Sequence, residues 1–160
     1  MRKTSALVCF VFVLAAIAVI AWLSCRPRVQ HHTLTACRSN IQLLGIELSI
    51  YAQDHDGVLP SAGPSRRRRP NWVESLYAQC TTKDQKDALA RRLKCPLDTT
   101  RSATSYVLNP RLAGHSLDKI AADRKSQIPL LFEDRPRHRG KRLVLYADGH
   151  TELVKDFEAE

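Results

Sequence analysis

The 160-residue sequence lacks the local motifs by which many enzymes are recognised. It has no Gly-x-Ser-x-Gly elbow, no His-Glu-x-x-His pair and no glycine-rich phosphate loop. Those motifs hold a nucleophile, a zinc-bound water or a nucleotide phosphate at a defined turn or helix. The sequence therefore offers no support for the corresponding enzyme classes, and we expect a protein that is not an enzyme and uses no cofactor.

Local metal-binding motifs are lacking as well, because the five cysteines form no Cys-x-x-Cys pair and no His/Cys cluster at zinc spacing. Cys9 and Cys25 belong to the apolar N-terminal region. In an oxidising compartment, a disulfide between Cys80 and Cys95 would close a short loop and stabilise the fold by roughly 3 kcal/mol. The alternative is two separate buried thiols. Cys37 is then the odd thiol, buried on a helix face.

Charge is missing from one long stretch, Ala6 to Ser24, which contains nineteen residues. As a helix this stretch would be about 28 Å long, enough for one membrane crossing. It predicts an uncleaved signal-anchor within residues 1–28 and a soluble domain over residues 29–160. A cleaved signal peptide is the competing interpretation, but its apolar core is usually only about 7–15 residues long. A lipoprotein signal ending at Cys25 is a third.

Aromatic residues are scarce beside an excess of positive charge. They make up 6% of the chain, whereas 25 Lys and Arg face 16 Asp and Glu. Surfaces that bind nucleic acid usually interleave basic with stacking aromatic side chains, so we expect no nucleic-acid partner. Four of the basic residues are Arg66 to Arg69, in a run between two prolines. This run predicts an exposed loop, either simply solvated or in contact with lipid headgroups or an acidic partner.

A long amphipathic helix is predicted after Pro27, which should break or kink the preceding helix. From Thr33 onward, apolar residues recur at alternating spacings of three and four, and a second stripe widens the apolar face. The first stripe is Leu34, Cys37, Ile41, Leu44, Leu48 and Tyr51, and the second is Leu43, Ile46 and Ile50. Gly57 can supply a left-handed cap, and Pro60 prevents the helix from resuming. Such a face must be covered, and a sheet is the expected cover.

The rest of the chain predicts two short helices followed by strands. The helices are "WVESLYAQC", capped by Asn71, and "KDQKDALARRL" from Lys83. Strand-like runs follow at 105–109, 128–134 and 141–154, and the last run is divided by Asp148-Gly149, a two-residue hairpin signal. We therefore expect an α+β fold in which a long helix packs on a small antiparallel sheet.

Several ordered segments together resemble a known family. They are "CRSNIQLLGIELSIYAQDHDGVLP" from Cys37, then "NWVESL", "KCPLD" and "SYVLN", and finally His138, nine residues, and Asp148-Gly149-His150. This series resembles the prepilin-type processing-associated proteins with a His-x9-Asp-Gly motif, relatives of type II secretion pseudopilins and type IV pilins.

The resemblance implies a pseudopilin-like domain outside the bacterial cytoplasmic membrane, held by a single membrane pass. It also implies a structural role, in which the domain packs with pilin-like subunits or secretion-system proteins. The alternative is a tethered ligand- or glycan-binding module that uses the Arg66 to Arg69 loop or the His138 hairpin. The chain departs from pilins because it has no Gly followed by Phe-Thr-Leu-Ile-Glu. We therefore expect no pilin maturation.

Three interpretations of the family motif follow from its residue types. His138 or His150 could act as a base oriented by Asp148, since imidazole titrates near neutrality. Calcium could bind Glu133, Asp134 and Asp148, but it prefers six to eight oxygens, and the surrounding Arg and Lys would repel it. Turn chemistry alone explains Asp148 and the glycine after it. We expect a structural motif without catalytic residues or a metal.

Overall fold

The computed structural model describes residues 2–63, 71–120, 122–155 and 157. Within the first helix, side chains are described at residues 13–22 and 32–53. The chain divides into two compact units, Met1–Thr35 and Ala36–Glu160, which are described separately below. The predicted Arg66 to Arg69 loop lies outside the described residues.

The first unit is helical and belongs to α1, which runs from Arg2 to Gln53 and is not interrupted at Pro27. Within this unit, the side chains at residues 13–22 are all apolar and all exposed. Among the described residues, no helix has a stretch that is both long and apolar enough to cross a membrane. The predicted span from Ala6 to Ser24 also covers side chains outside the described part, so the anchor stays a prediction.

In the second unit, α1 buries the first of the two predicted stripes. Cys37, Ile41, Leu44 and Leu48 are fully buried in the hydrophobic core. The second stripe is not covered as predicted, because Ile46 and Ile50 are 56% and 48% exposed. The helix therefore presents one face to the core and leaves apolar side chains on another face.

The turn after α1 follows the predicted chemistry. Gly57 has a φ of +78°, and its N–H donates to the carbonyl of Ala52 at 2.7 Å. Two short helices come later in the chain, α2 from Asn71 to Gln79 and α3 from Lys83 to Arg92. A reciprocal capping box between Thr82 and Gln85 starts α3.

Four strands form one antiparallel sheet in the order of the sequence. They are β1 (Tyr106–Leu108), β2 (Pro129–Glu133), β3 (Lys141–Tyr146) and β4 (Thr151–Lys155). Two short 3₁₀ turns, Leu117–Lys119 and Ala122–Gln127, lie between β1 and β2. The predicted α+β class with a small antiparallel sheet is confirmed.

The face of the sheet toward α1 supplies Leu131, Leu143 and Leu145 to the core. Helix and sheet approach closely at Gly45, where an added Cβ would lie 2.5 Å from Cδ2 of Leu145. Any larger residue at position 45 would force the buried leucine to move. On the opposite face of the sheet, the ring of Phe132 lies 5.0 Å from that of Phe157.

The predicted two-residue turn at Asp148-Gly149 is wrong in its details. Tyr146 donates its N–H to the carbonyl of His150, so that three residues, from Ala147 to Gly149, form the loop. Gly149 has a φ of +92°, whereas Asp148 does not adopt a positive φ. A type I′ turn would require positive φ at both residues.

A two-residue turn of that kind occurs instead before β3. Arg139 and Gly140 have φ values of +54° and +78°. The flanking residues, His138 and Lys141, exchange two backbone hydrogen bonds of 3.1 Å. This turn fixes the backbone of His138 at the start of the β3 hairpin.

Candidate functional site

Four side chains of metal-ligand type meet beneath α1 in the second unit. They are Cys37, Cys95, Glu133 and His138, here called the Cys–Glu–His cluster. One ligand atom from each lies within 4.8 Å of the others. The two cysteines and Glu133 are at most 1% exposed, and His138 is 7% exposed. The cluster is therefore sealed from solvent by the core.

Each member of the cluster comes from a different element. Cys37 lies on the buried stripe of α1, and Cys95 follows α3. Glu133 is the last residue of β2, two positions after Leu131 on the same face of the strand. His138 stands at the start of the Arg139-Gly140 turn. Packing of the helices on the sheet is what brings the four residues together.

His138 contacts two other members of the cluster through one ring nitrogen. Its Nε2 atom lies 3.2 Å from Oε1 of Glu133 and 3.8 Å from Sγ of Cys95. The other carboxylate oxygen of Glu133 accepts the backbone N–H of Leu143 at 2.9 Å. Both oxygens of this buried carboxylate are thus engaged, as burial of a charged group requires.

The cluster shifts the pKa of its own members. Burial opposes the charged form of His138, but hydrogen bonds and charge from Cys95 and Glu133 outweigh burial and raise its pKa to about 9. A hydrogen bond from the Cys37 thiol lowers the pKa of Cys95, against the opposing effect of burial. The same hydrogen bond, together with burial, raises the pKa of Cys37. The cluster therefore favours a protonated imidazole at His138, a neutral thiol at Cys37 and a thiolate at Cys95.

A second buried charge, Asp98, supports the loop that carries Cys95. Its carboxylate accepts the Ser105 hydroxyl at 2.6 Å and Lys94 Nζ at 3.2 Å, and Arg137 Nη2 lies 3.1 Å away. Burial opposes ionisation, but these partners and the Thr100 hydrogen bonds hold the pKa of Asp98 well below its usual range. The loop is therefore tied to the His138 segment by charge as well as by packing.

The predicted disulfide between Cys80 and Cys95 is not formed in the structure, where Cys37, Cys80 and Cys95 are free thiols. Cys80 lies just after the end of α2 and donates its S–H to the carbonyl of Leu76 at 3.5 Å. Cys95 turns into the core instead, toward Cys37 and His138. Cys37, predicted to be the odd thiol, is therefore the cysteine next to Cys95.

The structure separates the two ends of the predicted family motif. His138 precedes β3 and Asp148 follows it, and a six-residue strand is about 20 Å long. At the far end, Nδ1 of His150 lies 2.6 Å from Asp148 Oδ1, and the His150 ring stacks on Tyr146 at 4.3 Å. Gly149 lies in the same exposed loop. His138 and Asp148 therefore cannot act as a base and its orienting carboxylate, whereas His150 and Asp148 do pair, in this exposed loop.

The three oxygen donors considered for calcium are also kept apart. Glu133 points into the cluster, and Asp148 lies beyond the other end of β3. Asp134 forms an ion pair with Arg137 and lies 3.4 Å from Nε of Arg135. The guanidinium groups of these two arginines therefore pair with the Asp134 carboxylate that calcium would need.

Sequence reasoning missed the cluster because its members are not at any local ligand spacing. One signal was nevertheless present in the run "IPLLFED". Glu133 follows Leu131 by two positions, so strand alternation places it on the inward face of β2. A carboxylate on a buried face needs a partner, and that requirement could have pointed to a polar site in the core.

The described second unit thus belongs to the α+β class, with a four-stranded meander, one long helix across it and a buried Cys–Glu–His cluster between them. No known protein family, curated protein or solved structure matches the chain. Its function is therefore inferred from its own residues.

Proposed function

We propose that the protein is a membrane-anchored, pseudopilin-like structural subunit of a type II secretion-like assembly. Its C-terminal domain lies outside the bacterial cytoplasmic membrane and packs with other pilin-like subunits. The observation that carries the proposal is the different character of two segments of α1. Residues 13–22 expose apolar side chains, whereas the segment from Cys37 onward buries its apolar stripe against a sheet.

Membrane anchoring is supported by the exposed apolar side chains of the first unit. Val13, Ile17 and Ile20 are 56%, 57% and 63% exposed. They lie within the nineteen-residue run without charge. Transfer of apolar surface out of water is favourable by about 25 cal/mol per Å². The hydrocarbon core of a lipid bilayer can take up such surface. This run is longer than the apolar core of about 7–15 residues in a cleaved signal peptide, which supports an anchor that is retained.

Assembly with other subunits is supported by the uncovered face of α1 in the second unit. Ile46 and Ile50 are four residues apart, so they lie side by side on the helix. A groove of about 350 Å³ runs beside Ile46, and Leu130 and Tyr146 from the sheet contribute to its lining. A helix from a second pilin-like subunit can cover such a surface with its own apolar side chains.

The alternative of a tethered ligand-binding module relies on the Arg66 to Arg69 loop and on the His138 hairpin. The loop lies outside the described residues. His138 is buried and already engaged with Glu133, so a ligand in solution cannot contact its ring without opening the core. This observation favours the structural role.

The proposal can be tested by affinity isolation of the full-length protein from detergent-extracted bacterial membranes. We expect pilin-like subunits or secretion-system proteins to be recovered with it. A photo-crosslinking residue at position 46 should attach to one of them. Replacing Ile46 and Ile50 together by Asp should abolish recovery, because two charges would have to be buried at the contact.

The control is Ala90→Asp, which adds one negative charge at an exposed position of α3, and Ile46→Asp alone is the single-charge variant to compare with it. The Ala90→Asp variant should still recover the partners. Recovery of a small ligand without protein partners would contradict the proposal. So would recovery that is unchanged by the Ile46 and Ile50 substitutions.

A further inference from the structure

We infer that the Cys–Glu–His cluster is a structural zinc site. Its ligands are Sγ of Cys37, Sγ of Cys95, Oε1 of Glu133 and Nε2 of His138. This inference does not depend on the proposed function, since it rests only on the core of the second unit.

The spacing of the four donors is close to that of a zinc tetrahedron. Zinc bonds of about 2.3 Å to sulfur and about 2.0 Å to nitrogen or oxygen place neighbouring ligands about 3.3–3.8 Å apart. Nε2 of His138 lies 3.2 Å from the Glu133 oxygen and 3.8 Å from the Cys95 sulfur. All four donor atoms lie within 4.8 Å of one another. Small side-chain shifts are therefore enough to close the site.

The donor types select zinc over the common hard cations. Two thiolates and one imidazole suit a borderline-soft ion that accepts four ligands. Calcium requires six to eight oxygens. Here one carboxylate oxygen is available, because Glu133 Oε2 already accepts the N–H of Leu143.

Groups around the cluster hold the ligands in place. The backbone N–H of Leu97 donates to the sulfur of Cys95, and the Tyr106 hydroxyl lies within hydrogen-bonding reach of Cys37. The Leu143 N–H fixes the carboxylate of Glu133. Outer hydrogen bonds of this kind orient metal ligands and strengthen binding.

A zinc ion would connect the elements that form the fold. Its ligands come from α1, the loop after α3, β2 and the turn before β3. Binding of an ion that the unfolded chain cannot hold adds to the stability of the folded state. The ion would therefore fasten the long helix to the sheet beneath it.

The rival arrangement is a disulfide between Cys37 and Cys95. It would use only two of the four converging groups. Glu133 and His138 would be left as a buried ion pair with no role in the bond. Zinc accounts for all four donors, which is why we prefer it.

The direct test is the zinc content of the full-length protein, purified in detergent under reducing conditions. We expect one zinc ion per chain by elemental mass spectrometry. Replacement by Co²⁺ should produce the d–d bands of tetrahedral coordination and thiolate charge-transfer bands. Removal of zinc with a chelator should lower the midpoint of thermal unfolding, and added Zn²⁺ should restore it.

Variants identify the ligands. Cys37→Ser and Cys95→Ser should lose stoichiometric zinc, and Cys80→Ser is the matched control that should keep it. Glu133→Gln should weaken zinc binding by at least the roughly 10–100-fold that loss of an outer-shell partner costs. If a variant does not fold, the chelator and Co²⁺ experiments on the unmodified chain still decide the question.

Three results would overturn the inference. The first is a reduced, folded protein that binds no zinc. The second is zinc retained at one ion per chain when Cys37 and Cys95 are both replaced. The third is a Co²⁺ spectrum without thiolate bands.

Discussion

The packing of α1 on the sheet can be tested at Leu44, which is fully buried, against Ile46, which is 56% exposed two residues later. Leu44→Ala removes three carbon atoms from the core. Close approach of helix and sheet at the neighbouring Gly45 limits how far the site can collapse. We therefore expect a loss of about 3–5 kcal/mol in the free energy of unfolding. For a unit of this size, the loss corresponds to a fall of about 10–20 °C in the unfolding midpoint.

The assay is denaturation by urea and by heat, followed by tryptophan fluorescence in a Trp22→Phe background. Trp72 is then the remaining tryptophan and is 1% exposed, so it reports on the core. Ile46→Ala should change the free energy of unfolding by less than about 0.5 kcal/mol. Equal effects of the two substitutions would refute the packing of α1 described above.

Other consequences follow from particular residues of the second unit. Gly149→Val should cost about 1–3 kcal/mol, measured by urea denaturation, because a β-branched residue is strained at positive φ; a variant as stable as the parent would contradict the loop conformation. Asp98→Asn should cost about 1–3 kcal/mol at neutral pH. Because the folded pKa of Asp98 lies well below its ordinary value of 3.8, the stabilisation is complete above that pH and is lost progressively as the pH falls from there through the folded pKa; a difference in stability that does not decrease as the pH is lowered below 3.8 would refute the assignment. In the folded, reduced protein, Cys80 should be alkylated first, and Cys37 and Cys95 only on unfolding; alkylation of Cys95 in the folded protein as fast as that of Cys80, measured by peptide mapping, would contradict this order.

The buried face of α1 could be predicted from the sequence because a helix with one covered face shows a repeat near 3.6 residues. Leu44 and Leu48 follow that repeat and are buried. Ile46 and Ile50 are apolar as well, but residue type does not say which of two apolar faces the sheet covers. That choice depends on tertiary packing.

Turns were harder to predict than strands. Asp148-Gly149 matches the usual composition of a two-residue turn, yet its loop has three residues. The two-residue turn is formed by Arg139 and Gly140, although arginine has no special preference for positive φ. Here the strand pairing around His138 decides the turn, and local preference does not.

The Cys–Glu–His cluster could not be predicted from spacing, because its members are spread from Cys37 to His138. Only the fold brings them together. Proximity in sequence favours a bond between Cys80 and Cys95, but Cys80 is only partly buried at the margin of the core, and its thiol bonds the carbonyl of Leu76. Distance along the chain was therefore a poor guide to which thiols meet.

The most direct test of the proposed function is the location of the intact chain in bacterial cells. Membrane fractionation and protease treatment of spheroplasts should be combined with the intact mass of the protein. We predict that the chain is found in the cytoplasmic membrane with the uncleaved N-terminus, and that external protease digests residues from about Arg28 onward. A protease-protected domain in the cytosol would contradict the account, and a processed, N-methylated terminus would contradict the expected lack of pilin maturation.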